Sequence, residues 1–222
     1  MTAYRLVIFD WDGTVMDSTG RIVACMESAA RDVGLPPLAP VQIRHIIGLG
    51  LPEAIAVLYP QAPVAQRLAM KDRYAHHFIE AEHSPSPLFP HVHDVLQRLR
   101  EHGLHLAVAT GKSRKGLERV WRNTGYGALF DASRCADESL SKPHPAMVHE
   151  LLAHFAVPPE QALVVGDTTH DLNMAHNAGV ASVAVSYGAH DHAVLAKCAP
   201  LAMIESMAQL MPVLGLQQLE IA

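Results

Sequence analysis

Several short runs of consecutive apolar residues occur at intervals along the chain. Four of them, at residues 6–9, 104–109, 162–165 and 182–185, each stop at a small or polar residue just before a helical pattern begins. An apolar run without polar alternation is typical of a strand buried on both faces, as in a parallel sheet. Strands that alternate with helices predict an α/β fold with a Rossmann-like parallel sheet.

Helical spacing of apolar residues fills the intervals between these runs. In residues 92–100 the apolar positions 92, 95, 96 and 99 form one stripe, and Gly103 follows as a helix-ending residue. Similar patterns predict helices at residues 113–123, 145–154, 169–178 and 190–196.

Residues 18–85 do not follow this alternation of strands and helices. The segment has helical patterns at residues 20–33, 40–47 with 52–58, and 64–81, and it has no strand pattern. A Pro- and Ser-rich linker at residues 83–90 then returns the chain to the α/β pattern. We therefore predict a core domain of residues 1–16 and 86–222, with a helical domain of residues 17–85 inserted after the first strand.

Composition and charge exclude several classes of protein. Half of the 222 residues are hydrophobic and 18% are charged, which excludes a disordered or low-complexity chain. The chain has 17 Lys and Arg against 22 Asp and Glu, a net charge of −5, and no block of like charges. We expect no nucleic-acid partner, and an anionic ligand has to be held by local positive groups.

Neither a membrane nor an oxidising compartment is expected from the sequence. No apolar run approaches the roughly 18 residues of a membrane span, and residues 1–9 resemble neither a signal peptide nor an anchor. The three cysteines lack the paired spacing of a disulfide framework or a zinc site. A cytoplasmic location fits these features best.

Acidic residues follow the first predicted strand. Asp10 and Asp12 are two positions apart in an extended segment, so their side chains project together from the carboxyl edge of the sheet, where open α/β folds bind ligands. Two carboxylates that close repel each other unless a shared proton or a divalent cation relieves them. The pattern favours a Mg²⁺ site, and Gly13 lets the chain turn away.

Later strand ends supply complementary groups. Thr110 and Gly111 lie at a strand-to-helix turn, where a hydroxyl and free N–H groups suit an anion such as phosphate. Lys142, held in a proline-rich loop, adds a point charge that suits the same anion. Asp167 and Asp171 follow another predicted strand, and their oxygens are ligands that Mg²⁺ prefers.

These groups form four motifs: Asp-x-Asp-Gly-Thr from Asp10, Thr-Gly at Thr110, Lys-Pro at Lys142, and Gly-Asp-x-x-x-Asp ending at Asp171. In this order and spacing the chain resembles the haloacid dehalogenase superfamily. The helical insertion resembles the α-helical, C1-type cap of its phosphoglycolate phosphatase-like subfamily. The resemblance extends over essentially the whole chain.

The resemblance implies hydrolysis of a phosphate monoester through an aspartyl-phosphate. Asp10 is then the nucleophile, and Asp12 is the general acid that becomes the base. Mg²⁺ is held by Asp10, the backbone carbonyl of Asp12 and Asp167, with Asp171 lying behind these ligands. The other phosphoryl oxygens contact three further residues: Thr110, Gly111 and Lys142.

The sequence does not select the substrate within this class. We expect a small phosphorylated metabolite, with phosphoglycolate as the family-level choice, and specificity contacts near residues 47–51, including Arg44 and His45. A dehalogenase of this superfamily lacks an acid at the position of Asp12. A phosphomutase shares the acids, and a non-catalytic regulatory protein on this scaffold is expected to lose them, so both stay as alternatives.

Simpler structural roles are open to residues beside the motifs. Asp171 also suits the first turn of a helix, where an acid satisfies exposed N–H groups. Lys112 and Arg114 are expected to be solvated cations at a helix start. His144 and His170 neighbour motif residues and are candidates to line the cleft.

Overall fold

The computed structural model describes residues 3–81 and 86–217. Its described strands form one parallel sheet with the order β3-β2-β1-β4-β5-β6, which confirms the α/β fold. In chain order the strands are β1 (Leu6–Phe9), β2 (His105–Thr110), β3 (Ala132–Cys135), β4 (Ala162–Gly166), β5 (Ala181–Val185) and β6 (Ala202–Ile204).

Strand β1 lies inside the sheet, between β2 and β4. Its four apolar residues are therefore buried on both faces of the sheet. Leu6 is in register with His105 of β2 on one side and with Ala162 of β4 on the other. The ladder continues past the strand, since the Asp10 N–H donates to the Val165 carbonyl at 2.9 Å. The chain therefore leaves the sheet at Asp10 between two neighbouring strands.

Two strands, β3 and β6, were not predicted from the apolar runs. Both are edge strands, and β3 alternates between partly exposed and buried residues because one face is less covered. Strand β6 has only three residues. Edge strands of this kind lack the continuous apolar run that marks a strand buried on both faces.

The described helices follow the predicted order with shifted ends. They are α1 (Thr19–Asp32), α2 (Pro40–Arg44), α3 (Leu51–Leu58), α4 (Val64–Glu80), α5 (Val92–Glu101), α6 (Arg114–Thr124), α7 (Ala146–Phe155), α8 (Thr169–Asn177), α9 (His192–Leu195) and α10 (Leu210–Val213). The pattern did not predict α10. It overextended α2, which ends at Arg44, and α9, which is one turn long.

Hydrophobic clusters cover both faces of the sheet. Side chains alternate along β1, so Val7 and Phe9 pack in one cluster with Leu96 of α5, while Ile8 packs in the other with Leu151 of α7. Both clusters consist of buried side chains. The rigid layers that result fix the positions of the residues at the strand ends.

Helices α1–α4 pack together around their own hydrophobic cluster, which includes Met26, Ile55 and Met70. Residues 18–81 contain no strand. The two ends of this helical segment lie side by side, since the Asp17 N–H donates to the Pro87 carbonyl at 2.9 Å. The predicted linker falls partly outside the described residues, at positions 83–85. In the described part of the chain, no helix is both long and apolar enough to span a bilayer.

Candidate active site

The candidate site lies at the carboxyl ends of the three central strands. Asp10 follows β1, Thr110 ends β2, and Asp167 follows β4. These strands are neighbours in the sheet, so the three side chains meet at one edge, and all three are buried. This edge is where ligands bind in open α/β sheets.

Lys142 joins two of the predicted acids. Its Nζ donates to Asp10 Oδ1 at 2.5 Å and to Asp171 Oδ1 at 2.6 Å, and its side chain is fully buried. Burial alone would lower the pKa of Lys142, but the charges of Asp10 and Asp171 outweigh it and raise the pKa above its usual value. Lys142 therefore stays a fixed cation inside the site.

Asp171 lies in the first turn of helix α8 and also accepts a hydrogen bond from Lys142. Its Oδ2 accepts hydrogen bonds from the Thr168 N–H at 3.1 Å and from Thr168 Oγ1 at 2.6 Å, which completes a capping box. Its other oxygen faces Lys142. The helix-start role and a role in the site are thus combined in one carboxylate.

Asp167 is fixed by two donors from different parts of the chain. Thr14 Oγ1 donates to its Oδ1 at 2.9 Å, and the Ala189 N–H donates to its Oδ2 at 2.7 Å. Gly13 passes so close that a Cβ there would lie 2.1 Å from Asp167 Oδ2, and its φ is +92°. Gly13 is therefore required both by the turn and by the space that Asp167 occupies.

The acids fit a divalent cation. Oxygens of Asp10, Asp167 and Asp171 lie within 4.8 Å of one another, and the buried Asp10 Oδ2 has no hydrogen-bond partner among the described residues. Burial raises the pKa of Asp167 to about 7 and raises the pKa of Asp10 well above its usual range. A hard dication at these oxygens would stabilise the ionised carboxylates.

Ser18 and Lys112 orient Asp12, and the sequence did not predict a catalytic role for either residue. Ser18 Oγ donates to Asp12 Oδ1 at 2.6 Å, and Lys112 Nζ lies 3.0 Å from Asp12 Oδ2. Lys112 also lies over the Phe78 ring, 4.5 Å from its centroid. The prediction that Lys112 is a solvated cation is wrong, since its side chain is only 11% exposed.

Arg114, the other expected solvated cation, is also paired. It contacts Glu138 at 2.7 Å and donates to Ser133 Oγ of β3 at 2.8 Å. It therefore supports the edge of the sheet.

The turn after β2 brings Thr110 and Gly111 against the helical segment. Thr110 Oγ1 accepts from the Lys112 N–H at 3.1 Å. A Cβ on Gly111 would lie 2.3 Å from the Leu49 carbonyl oxygen and 2.7 Å from that of Gly48. Only glycine allows these two backbone segments to approach so closely.

A cavity of about 420 Å³ opens between the strand ends and helices α1, α3 and α4 together with the loop after α2. Asp10, Asp12 and Lys112 line its polar end, while the helical segment supplies mainly apolar side chains. The residues that line it include part of the predicted specificity segment, at positions 47–49 and 51.

Several predicted contacts lie away from this cavity. Arg44, His45, His144 and His170 are not among the residues that line it. Instead, His170 Nε2 and His190 Nε2 lie 2.9 Å and 3.2 Å from the His45 carbonyl oxygen. These three histidines connect the helical segment to the sheet domain.

Comparison with known proteins identifies the class. The family model for haloacid dehalogenase-like hydrolase matches residues 7–185. A phosphoglycolate phosphatase of Pasteurella multocida is 31% identical over 96% of this chain and 100% of its own length. A probable phosphatase, IndB, of Dickeya dadantii is 33% identical over 92% of this chain and 90% of its own length.

Solved structures agree with these relatives. A predicted phosphoglycolate phosphatase from Haemophilus somnus superposes with a TM-score of 0.85 at 29% identity, covering 96% of this chain and 99% of that one. The chain belongs to the haloacid dehalogenase-like hydrolases. The family and these relatives together support a phosphatase.

Proposed function

We propose that the protein is a Mg²⁺-dependent phosphatase that hydrolyses a small phosphorylated metabolite through an aspartyl-phosphate on Asp10. The observation that carries the proposal is the pairing of Asp10 with the buried Lys142, beside a second acid, Asp12, that is held in the same cavity. The relatives named phosphoglycolate phosphatase make phosphoglycolate the family-level candidate substrate.

In the first step Asp10 acts as the nucleophile. A carboxylate oxygen of Asp10 forms a bond to phosphorus while the bond from phosphorus to the alcohol oxygen breaks. Asp12 donates its proton to the departing oxygen, as a general acid. Ser18 and Lys112 orient Asp12 for this transfer.

In the second step the roles reverse. Asp12, now ionised, takes a proton from water as the water oxygen attacks phosphorus and the bond to Asp10 breaks. Phosphate is released and Asp10 is regenerated. Lys112, 3.0 Å from Asp12, holds the carboxylate in position for this step.

The cation would be held by Asp10, the Asp12 carbonyl and Asp167, with Asp171 placed behind them. When bound, Mg²⁺ supplies positive charge that keeps the buried carboxylates ionised and neutralises charge on the transferred phosphoryl group. Thr110, the Gly111 N–H and Lys142 would contact the remaining phosphoryl oxygens, where preorganised donors lower the barrier.

Residues 17–85 would act as a cap over the core domain of residues 1–16 and 86–222. The cavity lies between the two, so the cap excludes water from the reacting groups and contacts the substrate body. A cytoplasmic location is part of the proposal, and it rests on three free cysteines, Cys25, Cys135 and Cys198.

Phosphate release from a panel of esters tests the proposed reaction. We expect release from phosphoglycolate, sugar phosphates or nucleotides with Mg²⁺, and its loss in excess chelator, because the buried acids need a cation. Isomerisation of a sugar phosphate without phosphate release would instead identify a phosphomutase. If folded, Mg²⁺-loaded protein released no phosphate from any ester of the panel, the result would favour a non-catalytic protein on this scaffold.

A further inference from the structure

One face of helix α4 lines the cavity. Lys71, Tyr74, Ala75 and Phe78 follow the i, i+3, i+4, i+7 spacing of a single helical stripe, and all four contribute to the cavity wall. Phe78 lies against Lys112, at the level of Asp12. Lys71 is two turns away, about 10 Å further along the helix at a rise of about 1.5 Å per residue.

Two polar groups on this face have no protein partner. Among the described residues, neither the Lys71 ammonium nor the Tyr74 hydroxyl has a hydrogen bond or an ion pair. A cation and a hydroxyl that border a cavity without partners are suited to bind a ligand group that accepts hydrogen bonds. An anionic group satisfies both.

Most of the cavity wall that the helical segment supplies is apolar. It includes Ile22, Met26 and Ile46 from the helical segment, together with the Tyr74 ring. The cavity volume of about 420 Å³ falls within the range of pockets that enclose drug-sized ligands. Phosphoglycolate offers almost no apolar surface for this wall, and its carboxylate lies close to its phosphate.

We propose that the preferred substrate is a phosphomonoester whose alcohol carries an apolar ring and, at its far end, an anionic group bound by Lys71 and Tyr74. This inference rests on the proposed phosphatase activity and extends it to a substrate class other than phosphoglycolate. The apolar body gains from burial along α4, and the far anion pairs with a cation that has no other partner. Glu53, which also lines the cavity, disfavours additional negative charge beside it.

Three esters test the proposal: phosphoglycolate, benzyl phosphate and 4-carboxybenzyl phosphate. The two benzyl esters release similar alcohols, so differences between them report binding of the carboxylate. We expect kcat/KM to be highest for 4-carboxybenzyl phosphate and lowest for phosphoglycolate. In Lys71→Met we expect a loss of roughly tenfold or more for 4-carboxybenzyl phosphate, the usual effect of removing a charged hydrogen bond.

Benzyl phosphate provides the internal control for folding. Its hydrolysis by Lys71→Met should stay within about twofold of wild type, as for most substitutions at accessible positions. Lys197→Met, which removes an exposed cation outside the cavity lining, should leave all three activities unchanged.

Failure of the inference can be told from failure of the proposed function. If phosphoglycolate is hydrolysed with the highest kcat/KM, the inference is overturned and the phosphatase stands. Equal losses for both benzyl esters in Lys71→Met overturn the role of Lys71 as the anion-binding residue. No phosphate release from these three esters, with release from a sugar phosphate or a nucleotide, overturns the inference alone. No release from any of these esters overturns the phosphatase and the inference together.

Discussion

Three carboxylates, those of Asp10, Asp167 and Asp171, share a buried site with the Lys142 ammonium. Lys142 neutralises part of the charge of Asp10 and Asp171. Within the described part of the chain, however, Asp10 Oδ2 has no hydrogen-bond partner and the donors to Asp167 are neutral. Burying an ionised carboxylate without a compensating cation is costly. The folded chain therefore holds these acids ready for a dication, at a cost in stability when none is bound.

The pH dependence of Mg²⁺ binding follows from this arrangement. The pKa values of Asp10 and Asp167 are raised by burial, so the folded chain holds protons that the unfolded chain has lost above about pH 4. For such acids, the metal-free folded state loses stability as the pH rises through the folded pKa. Mg²⁺ at the proposed site would favour the ionised form and reverse this loss.

We expect Mg²⁺ to raise the free energy of unfolding by more at about pH 8 than at about pH 5, because the carboxylates compete with protons at the lower pH. Urea unfolding with Mg²⁺ and with chelator at each pH measures the two increments. Burial also lowers the pKa values of His170 and His190, but their titration enters both conditions alike and largely cancels in the difference.

Asp167→Asn provides the matched variant for this measurement. It should show a smaller Mg²⁺ increment with a weaker dependence on pH, since one ligand oxygen is no longer ionisable. Equal increments for wild type at both pH values would contradict the assignment of these acids to the metal.

At the scale of elements, the turn after β2 and the loop after α2 lie in close contact beside the cavity. Gly111 of the turn faces the backbone carbonyls of Gly48 and Leu49, with no room for a side chain. The same turn carries Thr110 and Lys112. A shift of the loop therefore also disturbs the contacts that orient the proposed phosphate-binding residues.

We expect Gly111→Ala to lower kcat/KM by at least about tenfold, because a misplacement of the order of 1 Å in a positioned site can cost far more than that. Steady-state kinetics and thermal unfolding measure the effect. Gly20→Ala is the control, since a Cβ there meets no atom within 4 Å and Gly20 lies in helix α1. That variant should retain full activity and gain up to about 0.5 kcal/mol in stability. Wild-type kinetics for Gly111→Ala would show that the close contact is not required.

Local sequence was sufficient to predict the strand ends but not the contacts between distant segments. The buried run of β1 places Asp10 at the edge of the sheet, and the same reasoning applies to β2 and β4. The pairing of Lys112 with Asp12 depends on how two separate strands lie beside each other. No local pattern encodes that distance.

The cavity wall is a further case that sequence pattern alone did not predict. The apolar stripe of α4 predicts a helix, yet it does not show whether Lys71 faces solvent or a cavity. The edge strands β3 and β6 were not predicted for a different reason. They are short and partly exposed, so their sequences lack a continuous apolar run. Packing between elements decides these features.

In the whole molecule, the charged groups of the candidate site and the apolar wall of the cavity come from different parts of the chain. The sheet supplies the acids and Lys142 from its central strand ends and adjoining loops, and the helical segment supplies most of the apolar cavity wall. Both ends of the segment lie together at Asp17 and Pro87, so it enters and leaves the sheet domain at one place.

The most direct test is to trap the phosphoryl group during a single turnover. Acid-quenched protein is digested and analysed by mass spectrometry after mixing with a substrate ester and Mg²⁺. We expect a phosphoryl group on Asp10, within the peptide of residues 6–21, and neither turnover nor this adduct in Asp10→Asn. Asp94→Asn, an exposed control, should behave as wild type. Turnover by Asp10→Asn at the wild-type rate, with no adduct in either protein, would show that Asp10 is not the nucleophile.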